Sequence, residues 1–151
     1  MDLDEKMIQG AKMNLEWVGS ELNPFVLGDA TNIKATLPVE APSFSGVVLD
    51  PPYGRNSQGS MDHRALLHHT LANAREVVDG GLVLILPSEP RTEHLNRPLE
   101  KNERPPLKHY VWETIEEMLH ETGWHYENAW YVSVHRSLGR VIVYATSAPQ
   151  D

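Results

Sequence analysis

Apolar residues recur at helical spacing in some stretches of this chain and run unbroken or alternate in others, so helices and strands follow one another along it. Met7, Ile8, Ala11, Leu15 and Val18 predict a helix from Asp4 to Val18, with Asp4 placed to cap its start. Phe25-Val26-Leu27 reads as a short strand between Asn23-Pro24 and Gly28-Asp29. A brief helical segment is predicted to follow to Leu37, stopped by Pro38 and Pro42. Phe44-Ser45-Gly46-Val47-Val48-Leu49 has the length and β-branched content of a buried strand. Leu67, Leu71, Ala74 and Val78 predict a second long helix over Asp62 to Asp79, ended by Gly80-Gly81 in a left-handed turn. Leu82 to Leu86 is apolar on both faces, as a central parallel strand requires.

Pro87 to His109 breaks the pattern. It is polar, holds five prolines and has no periodicity, which predicts a long loop. Tyr110 to Thr122 reads as a helix closed by Gly123, and Trp124 to His135 alternates like a half-buried edge strand. The turn Ser137-Leu138-Gly139 then leads into Val141 to Ala145, making a closing hairpin. Helices alternating with apolar strands predict a three-layer α/β sheet, mostly parallel, with an antiparallel carboxyl-terminal hairpin. No repeat or linker divides residues 1–151, so they read as belonging to one domain.

Composition narrows the function classes. With 40% hydrophobic residues a folded core is expected, and no apolar run of about eighteen residues offers a membrane-spanning helix. Absence of cysteine removes disulfides, thiol catalysis and cysteine-bound zinc; with no leader-like opening, a cytoplasmic location is the expectation. The eight histidines lack ligand spacing (His68 and His69 are adjacent and cannot share a helix face), so no metal is expected. A net charge of −8 gives a polyanion no general attraction, so any nucleic-acid grip must be local or come from elsewhere. Five of the thirteen basic residues (Arg91, Arg97, Lys101, Arg104 and Lys108) lie in the Pro87 to His109 loop among four acids; a solvated loop is the favoured reading, an RNA-touching lid the other. Trp112, Trp124 and Trp130 read as core or interface residues.

Asp50-Pro51-Pro52-Tyr53-Gly54 carries the most specific chemistry. A carboxylate at the carboxyl end of a buried strand lies where open α/β sheets bind their ligands. The two prolines donate no backbone hydrogen bonds and stiffen the turn, leaving the Asp50 and Pro51 carbonyls as acceptors. Tyr53 adds a flat aromatic face. Together these suit a planar group bearing an exocyclic amine, whose ring stacks while its N–H bonds are accepted. A capped turn with a surface aromatic is the bland reading of the same residues.

In this order the pieces resemble a Rossmann-like S-adenosylmethionine-dependent methyltransferase read from its second strand onward. Asp2-Leu3-Asp4 resembles the acidic segment ending that strand, and the resemblance implies that Asp2 binds the cofactor ribose while Leu3 packs on adenine. Gly28-Asp29-Ala30 resembles the third-strand motif, implying that Asp29 accepts from the adenine amine and that the Ala30 N–H donates to the ring; helix capping is the competing role for Asp29. Asp50-Pro51-Pro52-Tyr53 resembles the amine-acceptor motif, implying that Asp50, Pro51, Pro52 and Tyr53 are catalytic, with Asp50 also beside the cofactor.

Together with the distal His135-Arg136-Ser137-Leu138-Gly139-Arg140, that motif makes the chain similar to the tRNA (guanine-10-N2) methyltransferases. The implied activity is methyl transfer to the N2 amine of guanine in tRNA, with Tyr53, Gly54, Arg55, Asn56, His135, Arg136 and Arg140 contacting the substrate. DNA adenine-N6 and protein-glutamine methyltransferases share the acceptor motif and stand as alternatives. Nothing in the chain matches the family's first strand, its glycine-rich loop or its THUMP-type RNA-binding module. Three expectations follow from that difference. The chain is the carboxyl-terminal part of a longer enzyme, a subunit whose partner chain supplies the first strand, or a non-catalytic remnant. In the partnered case tRNA is held through the missing module. Without a partner, either the sheet keeps unpaired edges or the Phe25 strand closes against the Val48 strand.

Overall fold

The computed structural model describes residues 1–20, 25–37, 44–51, 62–90 and 97–148. Helix α1 spans Glu5–Trp17, and Asp4 caps it by accepting the Lys6 N–H at 2.8 Å. Asp29 opens a 3₁₀ turn, Ala30–Asn32, that runs into the short α2, Ile33–Thr36. Strand β1 is Phe44–Leu49, followed by α3, His63–Val77, and β2, Val78–Ser88. The two-residue β3, Arg97–Pro98, precedes α4, Trp112–Glu121; β4, Trp124–His135, and β5, Leu138–Ser147, form the closing hairpin. Among the described residues no helix is long and apolar enough to cross a membrane.

The sheet order is β1-β2-β5-β4-β3. β5 lies antiparallel between β2 and β4, so β1, β2 and β4 share a direction although only β1 and β2 are parallel neighbours. The sheet is therefore mixed, because the hairpin returns its last strand into the sheet instead of adding it at an edge. β3 pairs with the outer side of β4, so Trp124–His135 is not the edge strand that its alternation suggested.

One face of the sheet is the core. Leu82, Leu84 and Leu86 of β2 stand opposite Ala145, Val143 and Val141 of β5, with Ala129 and Tyr131 of β4 beyond. Leu67, Leu71 and Ala74 from α3 and Ile115, Met118 and Leu119 from α4 close over them, all buried. Burial of each such leucine is worth about 1.5–3 kcal/mol. Arg64 to Glu117 at 3.7 Å and His68 to Glu121 at 3.4 Å run between the two helices, which lie side by side on this face. On the opposite face Val83, Ile85, Trp130, Val132 and Ile142 are half-buried and Val48 is 68% exposed. Both long helices that pack on the sheet belong to the first face, so they do not make the third layer expected on the second.

Several local expectations change. Gly80-Gly81 does not terminate α3. The helix ends at Val77, Val78 is already strand, and both glycines lie within β2. A Cβ at Gly80 would run into the Ser45 carbonyl, so glycine there lets β2 approach β1 closely. The end of α3 is instead held by Arg75, whose guanidinium donates to the Val78 carbonyl (3.1 Å), the Gly123 carbonyl (3.1 Å) and the Ala148 carbonyl (3.5 Å). Gly123, with φ +80°, does close α4.

The described residues of Pro87 to His109 are more ordered than their composition suggests. Pro87 and Ser88 complete β2, and Leu99 N–H donates to the Ala129 carbonyl at 2.8 Å. Leu107 bridges back to Ser88, and Lys108 N–H donates to the Pro87 carbonyl at 2.9 Å. Trp112 and Trp124 are buried, while Trp130 is half-buried.

The first thirty-seven residues hold on differently. No residue of α1 is buried, and its apolar stripe leaves Met7, Met13 and Trp17 exposed, the last at 87%. Phe25-Val26-Leu27 does not join the sheet or close against β1. Leu27 forms an isolated parallel bridge with Asp2, with the Asp2 N–H on the Val26 carbonyl (3.2 Å) and the Gly28 N–H on the Asp2 carbonyl (2.9 Å). Among the described residues β1 pairs with β2 alone, so its other edge is unpaired.

Candidate functional site

Asp50 follows β1 directly, at the carboxyl ends of the parallel pair β1 and β2. Val48 is in register with Val83 and Leu49 with Leu84. Side chains alternate along a strand, so Asp50 belongs to the half-exposed second face with Val48. Arg140, near the start of β5, stands opposite Pro87 on that same face. Its Nη1 donates to both Asp50 oxygens at 2.9 Å each, reaching over the intervening β2. The side chains are 33% (Arg140) and 47% (Asp50) exposed. Ion pairs this open to water contribute about 0–1 kcal/mol, so this one is easily exchanged. Among the described residues Asp50 has no other side-chain partner.

The hairpin turn meets the 106–110 segment at the same end of the sheet. Lys108 Nζ donates to the Ser137 carbonyl at 2.8 Å, and His135 Nδ1 lies 3.0 Å from the Ser137 hydroxyl. His135 and Arg136 are both exposed. Arg140 thus meets Asp50 directly, while Lys108 and Arg136 lie at the neighbouring hairpin turn, in a chain whose net charge is −8. Glu89 is the acid at this end, its N–H bonded to the Pro106 carbonyl at 3.0 Å. Pro51 is half-buried beside Asp50, whereas Pro52, Tyr53, Gly54, Arg55 and Asn56 lie outside the described residues.

The second cluster sits on the amino-terminal pair. The Asp2–Leu27 bridge sets Asp2-Leu3 beside Gly28-Asp29-Ala30. Asp2 Oδ1 accepts the Asp4 N–H at 2.8 Å, and Leu3 is exposed. Asp29 Oδ1 accepts the Thr31 N–H (2.8 Å) and the Thr31 hydroxyl (2.7 Å), and these two bonds hold its carboxyl below the usual carboxylate range. Capping therefore occupies one oxygen of Asp29 and leaves the other facing water among the described residues. Two carboxylates, an exposed leucine and the first N–H of the 3₁₀ turn at Ala30 match the needs of a nucleoside: diol, apolar ring face and ring acceptor. Among the described residues no cluster of three or more His, Asp or Glu could hold a metal ion.

Sequence reasoning grouped His135, Arg136 and Arg140 with the Asp50 motif, and Arg140 does reach Asp50. It missed the direct Asp50–Arg140 pair, which joins residues 90 positions apart and leaves no local signal. It also missed that Lys108 would be drawn to the turn, because its segment was read as an unstructured loop.

The family model described as UPF0020, RMKL-like, methyltransferase domain, matches residues 1–121. A tRNA (guanine(10)-N2)-dimethyltransferase of Pyrococcus abyssi is 36% identical over 89 residues, which are 59% of this chain and 26% of that protein. The chain thus spans about a quarter of that curated relative. Among solved structures, an S-adenosylmethionine-dependent methyltransferase of Methanosarcina mazei superposes with a TM-score of 0.63 at 12% identity, covering 99% of this chain and 81% of the other. The magnesium protoporphyrin IX methyltransferase of Synechocystis, solved with S-adenosylmethionine bound, gives 0.61 at 14% identity, covering 97% and 57%. These two likenesses show the fold.

Proposed function

This chain belongs to the RMKL-like methyltransferase domain family, and from that premise we propose that it presents the exocyclic N2 amine of a tRNA guanine for methylation by S-adenosylmethionine. The observation that carries this reading is the Asp50 carboxylate, exposed at the end of a parallel strand and paired with Arg140 beside a hairpin turn that carries Arg136 and receives Lys108. The partial identity to a tRNA guanine-N2 enzyme supports guanine over adenine or glutamine.

When bound, S-adenosylmethionine supplies an electrophilic methyl group on a sulfonium. Asp2, Leu3, Asp29 and Ala30 would hold its adenosine half, for which their arrangement offers donors and acceptors. The guanine N2 lone pair is delocalised into the ring, so the amine is a poor nucleophile. Asp50 and the Pro51 carbonyl accept its two N–H bonds, which favours a pyramidal nitrogen with an available lone pair. As the nitrogen becomes cationic, the Asp50 carboxylate faces the growing charge and, through the N–H it accepts, is placed to take the proton that the methylated amine must lose. Tyr53 stacks on the base once it is flipped from its helix, with Pro52 stiffening the turn. Gly54, Arg55 and Asn56 border the base, and His135 and Arg136 meet the backbone. Alignment of amine and methyl supplies much of the rate, since well-oriented groups gain roughly 7–11 kcal/mol.

Deleting the gene in its host and digesting bulk tRNA to nucleosides tests the reading. Loss of N2-methylated guanosine, restored by the intact gene, is the expected result. An unchanged tRNA profile, with loss of N6-methyladenine from DNA or of methylglutamine from protein, would assign the motif to another amine.

The free edge of β1 favours one further element of this reading, a strand from a partner chain lying along it. With Val48 exposed on the face beside that edge, an added strand and the helix following it would bury apolar surface now in water. In the isolated chain the β1 amides directed to that edge are expected to exchange hydrogen rapidly, and in the enzyme purified from its host to be protected. Equal exchange in both samples rules the added strand out.

A further inference from the structure

We propose that Arg140 is a phosphate-responsive positioning residue: its guanidinium holds the Asp50 carboxylate at rest, and a phosphate of the nucleic-acid substrate takes the guanidinium over and releases the carboxylate to the acceptor amine. The inference rests on the nucleic-acid reading above and adds to it a step that couples binding to readiness.

Competition at Asp50 is the starting point. A carboxylate offers about four lone-pair positions, and Arg140 Nη1, 2.9 Å from both oxygens, sits across the two that face each other. An amine arriving to donate its N–H must share what remains. A fixed cation beside Asp50 also works against the chemistry, because the acceptor nitrogen becomes positive as the methyl arrives. Asp50 serves that step better with Arg140 turned away.

Arg140 has somewhere better to go when substrate is present. Guanidinium pairs with phosphate through two parallel N–H bonds, whereas here a single nitrogen serves the carboxylate. One third of its side chain is already exposed. Lys108, anchored on the Ser137 carbonyl, and the exposed Arg136 add positive charge at the same end of the sheet, where Glu89 is an acid among the described residues. A phosphate drawn to this rim finds the Arg140 guanidinium within reach of solvent. The pair it must break is a weak, solvent-open one.

Nuclear magnetic resonance of the full chain, with arginine labelled at the side-chain nitrogen and aspartate at the carboxyl carbon, follows both partners at once. The probe is a ten-nucleotide single-stranded RNA, with sodium chloride at matched ionic strength as control. The Arg140 and Asp50 signals are expected to move together on one saturation curve with RNA and to stay in place with chloride.

Affinity supplies the second arm. Asp50→Asn removes the competitor and is expected to tighten RNA binding about two- to fivefold, the range an exposed ion pair allows. In an Arg140→Gln background the same change is expected to have almost no effect, whereas Arg140→Lys preserves part of the gain. A general charge effect of Asp50 would act equally in both backgrounds and would overturn the inference. So would unmoved Arg140 and Asp50 signals at saturating RNA. Failure of the tRNA nucleoside test with the coupled movement intact would overturn the guanine assignment alone.

Discussion

Asp50→Ala is expected to lower the kcat for methyl transfer by about 10²–10³-fold in the assembled enzyme, the scale seen when one preorganised group facing developing charge is removed. Fold and RNA binding should survive, because the Asp50 side chain is half-exposed and its only partner among the described residues is the partly exposed Arg140. If Arg140 competes for the carboxylate, RNA affinity should even rise slightly. Single-turnover kinetics with labelled S-adenosylmethionine separates this loss from binding. Turnover within a factor of a few of the unaltered enzyme would remove Asp50 from the reaction.

The largest effect on stability is expected at Leu84. It lies on the core face of β2, opposite Val143 and in register with Leu49 on the other side, with no exposed surface. Leu84→Ala should cost about 2–5 kcal/mol, from lost burial plus the cavity left in a well-packed layer. Trp17→Ala provides the contrast: although tryptophan is the larger side chain, at 87% exposure its removal should change stability by no more than about 0.5 kcal/mol. Urea unfolding of the isolated chain measures both. Similar costs at the two positions would mean that α1 packs in solution onto surface left open here.

What the sequence made legible follows from how local each signal is. Asp4 at the head of α1, the β-branched run of β1, the Leu67-Leu71-Ala74 stripe and the closure at Gly123 are set by neighbours within a few residues, and each lies where the pattern puts it. The fold class, an α/β sheet of Rossmann-like methyltransferase type, was equally legible from the order of these elements. Failures arose where distant residues decide. Gly80-Gly81 resembles a helix stop, but the constraint on Gly80 is the Ser45 carbonyl on another strand. Proline content made Pro87 to His109 look unstructured, yet proline carbonyls still accept, and those of Pro87 and Pro106 anchor it. At the site, Asp50 was visible as a motif, and the cation that occupies it was not.

Arg75 has a consequence for how the molecule comes apart. By tying the start of β2, the end of α4 and the residue after β5 to α3, it joins elements that, with β1 laddered along β2, are expected to open together. Asp2, Leu3, Asp29 and Ala30 stand outside that tie. Of their segments, only Ile33 contributes a buried apolar side chain, and a lone thirteen-residue helix is marginal in water. The two halves of the site thus belong to two stability tiers. Asp50 and Arg140 stand on the durable one, and whatever binds between the tiers gives the weaker tier the added stability of its own binding free energy.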